Sequence, residues 1–227
     1  MLKLKLLTFL VSAAIAFGVP VKASDTINQE ELVSKATFTL KRLATSEKLK
    51  AAQHLLKKAR AVMVFPNLYK GALFIGGEGG SGVLSARKAD GTWSHPAFYT
   101  LGSVSFGFQV GGQSSEAILI VMNDKALNAL MEDQVKVGGD ISAAAGPVGT
   151  GIEAASTTSL GEDIYTYSTN KGLFIGASFE GAVIARREDW NGDFYNDVTS
   201  PKDIVLGGKG TNAAASPLLD ELNKYQE

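Results

Sequence analysis

The sequence predicts an α+β fold: an antiparallel β-sandwich or barrel-like body with an internal pseudo-repeat, packed with N-terminal helices, one mid-chain helix and a C-terminal helix. Apolar residues recur at helical spacing through residues 28–60, and runs typical of strands begin at residue 61. A pattern of apolar residues and glycines at 70–99 returns at 171–195. Two copies this far apart favour one domain over a solenoid.

Residues 1–23 are predicted to be a signal peptide. Lys3 and Lys5 form a positive region, an apolar stretch of 14 residues follows, and Ala23 supplies the small residue that signal peptidase needs. The stretch is shorter than the roughly 20 apolar residues that span a bilayer, which disfavours the alternative of an uncleaved anchor. We expect cleavage after Ala23 and a periplasmic or secreted protein.

The remaining residues, 24–227, are predicted to form one domain. N-terminal helices occupy 24–60, a β-rich body occupies 61–213, and a C-terminal helix occupies 214–227. The chain has no cysteine, so disulfides do not contribute to its stability. A domain of about 200 residues buries an adequate core without them.

Two helices are predicted ahead of the strands, at 28–44 and 47–60. Asn28 is the expected N-cap of the first, and Thr45 or Ser46 that of the second. Phe38 falls outside the apolar stripe of the first helix, on its polar side. The apolar stripes are Leu32, Val33, Ala36, Leu40 and Leu43 in the first helix, and Leu49, Ala52, Leu56, Ala59 and Met63 in the second.

Strands are predicted from the alternation and length of the later apolar runs. The run at Ala117–Met122 is continuous, which indicates a strand covered on both faces. Asn123 then caps a short helix, and Ser216 with Pro217 begins the final one. The further predicted segments are strands at 62–65 (ending at Pro66), 72–75, 83–87, 104–110 and 164–168, and a helix at 124–132.

The repeat predicts two related β-hairpin units. The first copy contains Lys70–Gly76 and Gly82–Arg87, and the second contains Lys171–Gly176 and Gly181–Arg186. Each copy ends in an acidic turn with glycine and aromatic residues, Asp90-Gly91-Thr92-Trp93 and Asn191-Gly192-Asp193-Phe194. If the units are equivalent parts of one core, Phe74 and Phe174 are both buried.

The motifs argue against an enzyme. Gly77–Gly82 satisfies G-x-G-x-x-G, but a strand-like segment follows it where a dinucleotide site needs a helix, so we expect a tight turn or bulge. The two histidines, His54 and His95, lack cysteine partners and clustered carboxylates for a metal site. No G-x-S-x-G elbow accompanies them. We expect no catalytic residues, no metal and no cofactor.

Charge is distributed unevenly along the chain. The formal net charge is −1, but residues 35–60 carry eight basic groups and one acidic group, whereas residues 61–227 carry 11 basic and 19 acidic groups. A basic segment on an acidic body indicates a surface for anions. The alternative is that the lysines only solvate two helices.

Several spaced blocks resemble those of one family, the SYLF (Ysc84-like) lipid-binding domain. They are similar to its signature blocks in the same order over about residues 30–225. The blocks are Gly79–Val83 with Ala86-Arg87, Asp90–Ser94 and Pro96; Phe106–Gly111 with the apolar strand to Asn123; Ala145–Gly149; and Lys171–Phe174 with Glu180-Gly181.

This resemblance implies a non-enzymatic domain that binds membrane lipid. In eukaryotic members it implies phosphoinositide binding through a basic, amphipathic N-terminal helix, sometimes with actin binding. The chain departs from them by its predicted signal peptide and by lacking an SH3 or FYVE module. We therefore expect an anionic phospholipid or lipid A phosphate as the target, and no nucleic acid.

The expected lipid-binding residues lie on the two N-terminal helices. Two alternatives remain open from the sequence: the basic helices dock on an acidic protein of the cell envelope, or the glycine-rich loops form the lipid surface. For Phe38, the alternative is packing on the β body. The predicted residues are Lys35, Phe38, Lys41, Arg42, Lys50, Lys57 and Lys58.

Overall fold

The structure, a computed structural model, describes residues 28–72, 75–106, 111–149, 161–170 and 172–225. These residues form a nine-stranded sheet with helices at the N-terminal end, in the middle and at the C-terminal end. The predicted α+β class is confirmed, and the body is a curled half-barrel rather than a sandwich. The signal peptide predicted at 1–23 lies outside the described residues and stays a prediction.

The elements follow the chain in a helix–sheet–helix order. The helices are α1 Gln29–Thr45, α2 Lys50–Lys58, α3 Asp124–Ala129, α4 Glu188–Tyr195 and α5 Ser216–Asn223, with 3-10 turns at Glu47–Leu49 and Ala213–Ala215 and a π-helical turn at Lys202–Leu206. The strands are β1 Ala61–Ala72, β2 Ile75–Ala86, β3 Ala97–Phe106, β4 Gly111–Val121, β5 Gln134–Lys136, β6 Ala143–Ala145, β7 Ile164–Asn170, β8 Leu173–Gly176 and β9 Val183–Arg186.

The sheet is organised around its long central strands. Its order is β5-β9-β3-β2-β1-β4-β7-β6, and β8 pairs with the remaining part of β7. The pairings are antiparallel except for β6 with β7. Residues 117–121 of β4 are fully buried, which confirms that the continuous apolar run is covered on both faces.

The N-terminal helices form largely as predicted. The Asn28 side chain accepts a hydrogen bond from the Glu31 amide at 2.7 Å and so caps α1. The predicted apolar stripes of both helices are buried. The start of the second helix differs, because a 3-10 turn precedes α2 and Ser46 makes no side-chain cap.

Strand β1 continues through Pro66, where the sequence predicted its end. The pairing of β1 with β2 shifts register between Val64 and Tyr69, and its pairing with β4 shifts between Phe65 and Leu68. A bulge therefore accommodates the proline, which has no amide hydrogen to donate to the ladder. Of the separate strand predicted at 72–75, Ala72 ends β1 and Ile75 begins β2, and residues 73 and 74 lie outside the described residues.

The G-x-G-x-x-G segment lies inside β2, opposite the β1 bulge, so of the expected tight turn or bulge the structure has the bulge. Two of these glycines allow β2 to approach the β1 bulge closely. A Cβ on Gly80 would lie 2.0 Å from the Asn67 carbonyl oxygen, and one on Gly82 would lie 2.4 Å from the Phe65 ring. Both distances are far below van der Waals contact, so the bulge requires glycine opposite it.

The two copies of the repeat differ in their pairing. In the first copy β1 and β2 form a hairpin, but in the second β8 pairs with β7 whereas β9 pairs with β3 and β5. The second copy is therefore not a hairpin. The connection after β8 buries Phe179 and Ala182 and carries the chain to the other end of the sheet. Phe174 is buried as predicted, and Phe74 lies outside the described residues.

Helix α4 replaces the turn that Asn191-Gly192 predicted. Asn191 is fully buried, accepts a hydrogen bond from the Phe98 amide at 2.8 Å and donates one to the Thr199 carbonyl at 3.0 Å. Phe194 packs edge-on against Phe98 with ring centres 5.0 Å apart. These long-range contacts outweigh the local turn preference of an Asn-Gly pair.

A buried carboxylate, that of Asp163, ties three elements together. Asp163, just before β7, accepts hydrogen bonds at 2.9 Å from the Asn123 side chain, the Lys125 ammonium and the Ser142 amide. Burial raises the pKa of Asp163, but these three donors together outweigh burial and hold the pKa at about 2. The carboxylate therefore stays ionised and links α3, β6 and β7.

Replacement of Asp163 is expected to produce a pH-dependent loss of stability. Because its folded pKa lies below the unfolded value of about 4, the stabilisation is present above about pH 4 and is lost as the pH falls towards 2. We expect Asp163→Asn to lower the free energy of unfolding by roughly 2 kcal/mol at neutral pH. Urea unfolding over a pH series measures this, and a deficit that stays constant down to pH 2 contradicts it.

Two glycine substitutions test the contact between β2 and the β1 bulge. Gly82→Ala places a methyl group in the Phe65 ring and is expected to destabilise the protein by about 1–3 kcal/mol. Gly102→Ala is the matched strand control, because a Cβ there meets nothing within 4 Å. Thermal unfolding of both variants checks this, and equal midpoints would contradict the close contact.

Candidate functional site

Helix α1 turns one face to the core and leaves Phe38 on the opposite face. Its apolar stripe is buried where the helix packs on α5, β1 and β2. The Phe38 side chain is 63% exposed, and the Lys41 ammonium lies 5.7 Å from the centre of its ring. Phe38 therefore does not pack on the β body, and it presents a large apolar group to solvent beside a cation.

Arg42 fixes α1 to the sheet. One guanidinium nitrogen donates to Glu116 of β4 at 2.5 Å, and another donates to the Gly172 carbonyl at 2.9 Å. The guanidinium carbon lies 5.5 Å from the Phe174 ring centre, and Thr39 donates to the second Glu116 oxygen at 3.0 Å. The structure thus places this predicted lipid-binding residue in an intramolecular contact that orients the helix.

Lys35 and Lys50 form ion pairs within their own helical segments. The Lys35 ammonium lies 2.8 Å from a Glu31 oxygen, and the Lys50 ammonium lies 2.8 Å from a Glu47 oxygen. All four side chains are more than a third exposed. Such pairs contribute only a few tenths of a kcal/mol, roughly, so an external anion can compete for either lysine.

Four lysines of the N-terminal helical segment have no carboxylate within 4.0 Å in the described part of the chain: Lys41, Lys48, Lys57 and Lys58. All four are exposed. Lys57 and Lys58 lie in the last turn of α2, where a cation is favoured by the helix dipole. Lys48 was not selected from the sequence, which placed it inside the second helix; the structure places it in the 3-10 turn that precedes α2.

The position of α2 is set by two polar side chains that the sequence analysis missed. The Gln53 amide donates to the carbonyls of Leu43, Ala44 and Ser46 at 2.9–3.2 Å, which joins α2 to the end of α1. Arg87 donates to the carbonyls of Leu56, Lys57 and Ala59 at 3.0–3.1 Å, which holds the end of α2. The lysines of α2 therefore project from a helix that is held near both of its ends.

His95 packs against an aromatic side chain, and its neighbour Ser94 forms hydrogen bonds with the backbone. His95 lies edge-on to Tyr195 with ring centres 6.3 Å apart, and burial, assisted by the charge of Lys88, lowers its pKa. The neighbouring Ser94 hydroxyl accepts a hydrogen bond from the Ala86 amide and donates to the His95 carbonyl, both at 3.0 Å. Among the described residues, no three or more His, Cys, Asp or Glu side chains are grouped to hold a metal ion.

Among the described residues, no helix combines the length and apolar character needed to cross a bilayer.

Comparison with known proteins identifies the family. The profile described as "Ysc84: Las17-binding protein actin regulator" matches residues 102–225. Protein YSC84 of Saccharomyces cerevisiae is 37% identical over 169 residues, which cover 73% of this chain and 36% of the yeast protein. This chain belongs to the Ysc84 (SYLF) family. A rat relative, SH3 domain-containing YSC84-like protein 1, is 30% identical over 175 residues, covering 77% of this chain and 51% of the relative.

The chain matches only a part of each of these longer relatives. The chain spans about a third to a half of the length of the curated relatives it matches, with 36% coverage of the yeast protein and 51% of the rat protein. The name of the rat relative describes a protein that contains an SH3 domain. The family blocks quoted above lie mainly in the sheet and its loops, including β2, β4 and the segment Ala145–Gly149.

A pair of alanine substitutions tests the different positions of Arg42 and Lys41 in this Ysc84 domain. Arg42→Ala removes the contacts with Glu116 and Gly172 and is expected to lower stability by roughly 1–2 kcal/mol. Lys41→Ala, on the neighbouring exposed position, is expected to change stability by less than about 0.5 kcal/mol. Thermal unfolding distinguishes them, and equal effects would contradict an anchoring role for Arg42.

Proposed function

We propose that this Ysc84 domain binds the head groups of anionic membrane lipids through a basic helical surface formed by Phe38, Lys41, Lys57 and Lys58. The observation that carries the proposal is the exposure of a phenyl ring beside a lysine with no carboxylate within 4.0 Å among the described residues, on a helix whose other face is fixed in the core. Basic side chains that surround an apolar group are typical of peripheral membrane binding.

Order-of-magnitude energies support a reversible interaction. Each lysine near a negative bilayer contributes about 1 kcal/mol, so three contribute about 3 kcal/mol. Burial of the Phe38 ring in the interface adds about 1.5–3 kcal/mol. The total of about 5 kcal/mol corresponds to a dissociation constant of roughly 0.2 mM. Neither the charge of the lysines nor the insertion of Phe38 gives binding of this strength alone, so both contribute.

The remaining predicted lipid-binding residues, Lys35, Lys50 and Arg42, have different roles. Lys35 and Lys50 form weak local ion pairs, so they are available to lipid phosphates at a small cost. Arg42 is committed to Glu116 and Gly172, so its contribution is to orient α1 rather than to contact lipid. Arg42 is therefore a positioning residue for Phe38, which lies one helical turn before it.

The lipid class follows from the compartment that the sequence predicts. An exported protein meets phospholipids such as phosphatidylglycerol, or the phosphates of lipid A, rather than phosphoinositides. The chemistry recognised is the same in both cases, a phosphate anion at an apolar interface. We therefore propose a periplasmic or secreted protein that associates with the surface of an envelope membrane without catalysing a reaction.

A second candidate is docking of the same basic surface on an acidic protein partner. The family description "Las17-binding protein actin regulator" names a protein partner for relatives of this chain, which favours testing it. The exposed lysines would serve such a partner by charge complementarity. Protein interfaces also bury aromatic side chains, so binding to vesicles that contain no protein is what distinguishes the lipid from an acidic protein partner.

Charge reversal tests the lipid proposal. Lys57→Glu/Lys58→Glu and Lys41→Glu are each expected to reduce co-sedimentation with vesicles of phosphatidylcholine and phosphatidylglycerol in equal amounts, and raised salt is expected to reduce wild-type binding. Lys202→Glu is the matched control, because Lys202 is also exposed but lies in the π-helical turn. Vesicles of phosphatidylcholine alone report the contribution of lipid charge.

Wild-type binding that ignores both lipid charge and salt would contradict the proposal. Equal losses in the Lys202→Glu control and the helix variants would also contradict it, because net charge rather than a defined surface would then be responsible. Thermal unfolding of each variant confirms that the exposed substitutions leave the fold intact.

A further inference from the structure

A polar pocket lies in the sheet, outside the basic helical surface described above. It has a volume of about 490 Å³, within the range of roughly 300–1,000 Å³ that is typical of small-molecule sites. Residues of β1, β2, β4, β7 and β8 line it, together with Ala177 after β8. Their side chains bring one ammonium, one carboxylate, one carboxamide and four hydroxyl groups to a single cavity.

The strand register places the two charged groups of the pocket side by side. Lys70 of β1 is the direct partner of Glu78 on β2 and of Gln113 on β4. Directly opposite residues of paired strands project to the same face of a sheet, so these three side chains stand in a row. Leu68, two residues before Lys70, lies on that face, is fully buried and pairs with Ser115. The pocket therefore begins where the apolar core ends, on strands whose positions the ladder fixes.

The pocket opens where β4 and β7 separate. Their ladder ends at the pair of Ala117 with Ser168, and beyond it the Thr169 hydroxyl accepts a hydrogen bond from the Glu116 amide at 2.8 Å. A side chain thus takes the place of a backbone carbonyl between the strands, which leaves space beside them. Ile175 of β8 is the partner of Ser168, is 43% exposed and supplies an aliphatic wall.

Much of the hydrogen-bonding capacity of the pocket is not used by the fold. Glu78 accepts one hydrogen bond, from the Ser115 hydroxyl at 3.3 Å. Among the residues that the structure describes, the side chains of Lys70, Gln113 and Ser168 have no hydrogen-bond or ion-pair partner. The Lys70 ammonium therefore lies more than 4.0 Å from the Glu78 carboxylate, although the two residues are cross-strand partners. Partly buried polar groups that lack partners favour a ligand that supplies them.

We propose that this pocket binds a neutral saccharide. The charges of Lys70 and Glu78 cancel, so a small anion is repelled by Glu78 and a small cation by Lys70. A hydroxyl group can donate to the Glu78 carboxylate while it accepts from the Lys70 ammonium, and hydrogen bonds to ionised groups are the stronger kind. The carboxamide and hydroxyls of the other lining residues both donate and accept, which matches a ligand with hydroxyl groups around a ring. The aliphatic wall at Ile175 suits the C–H groups of that ring.

A saccharide site goes beyond the proposed function. Its residues belong to the sheet and the segment after β8, whereas the proposed lipid contacts belong to α1 and α2. Saccharide binding therefore requires no membrane and can be measured with the protein in solution. The two proposals fail independently, because substitutions in the pocket leave the basic helical surface unchanged.

An NMR titration of the isotope-labelled protein tests the site and its ligand class. The neutral probes are glucose, N-acetylglucosamine and sucrose, the anionic probe is glycerol 3-phosphate, and the zwitterionic probe is phosphoethanolamine. We expect at least one neutral saccharide to shift the amide signals of Gln113, Ser115 and Ser168 saturably, and the two charged probes to bind more weakly.

Substitutions in the pocket show whether these shifts report the proposed contacts. Lys70→Met is expected to weaken saccharide binding about tenfold and Ser168→Ala about fivefold, because each removes a hydrogen bond to the ligand. Lys202→Met and Ser46→Ala are the matched controls, since Lys202 is exposed in the π-helical turn and the Ser46 side chain makes no cap. Both controls are expected to bind like the wild type, and thermal unfolding checks that every variant is folded.

Three results would overturn the inference. The first is the absence of saturable shifts with every saccharide at high millimolar concentration. The second is tighter binding of glycerol 3-phosphate or phosphoethanolamine, which would assign the pocket to a charged ligand. The third is equal saccharide binding by folded Lys70→Met, Ser168→Ala and both controls, which would place the saccharide elsewhere on the protein.

Discussion

The contact between Arg42 and the sheet determines what the N-terminal helix can do. Its guanidinium joins Glu116 of β4, the Gly172 carbonyl before β8 and the face of Phe174. Together with the buried apolar stripe, these contacts fix the rotation of α1 about its own axis. A helix fixed in this way has one face for the core and one for solvent, and Phe38 lies on the solvent face.

The second helix is also fixed by polar side chains, but these bind backbone carbonyl groups, whereas Arg42 binds a carboxylate. Gln53 joins the start of α2 to the end of α1, and Arg87 binds the last carbonyls of α2. Ordering these long side chains costs conformational entropy, which the buried stripes of both helices offset. The basic surface is consequently presented by a preorganised scaffold, so the proposed membrane association does not require the helices to fold first.

Much of the fold could be predicted from the sequence, because periodicity and capping residues report local preferences. The buried stripes of α1 and α2, the doubly covered strand at 117–121 and the Asn123 cap follow from them. Features set by distant contacts were missed: the β1 bulge at Pro66 depends on Gly80 and Gly82, and α4 depends on Asn191 bonding to Phe98. The candidate site divides in the same way: helical periodicity placed Phe38 on the polar side of α1 beside basic residues, but it could not reveal the distant carboxylate of Glu116 that engages Arg42.

Substitution of Phe38 tests the central claim most directly, because the side chain is free of the core and its contribution is therefore separable from stability. The series Phe38→Trp, Phe38→Leu, Phe38→Ala and Phe38→Asp is measured for binding to anionic vesicles and for thermal unfolding. The predicted result is that binding follows the hydrophobicity of the side chain while the unfolding midpoint stays constant. Binding that is the same throughout the series would contradict the claim that α1 directs Phe38 into the membrane.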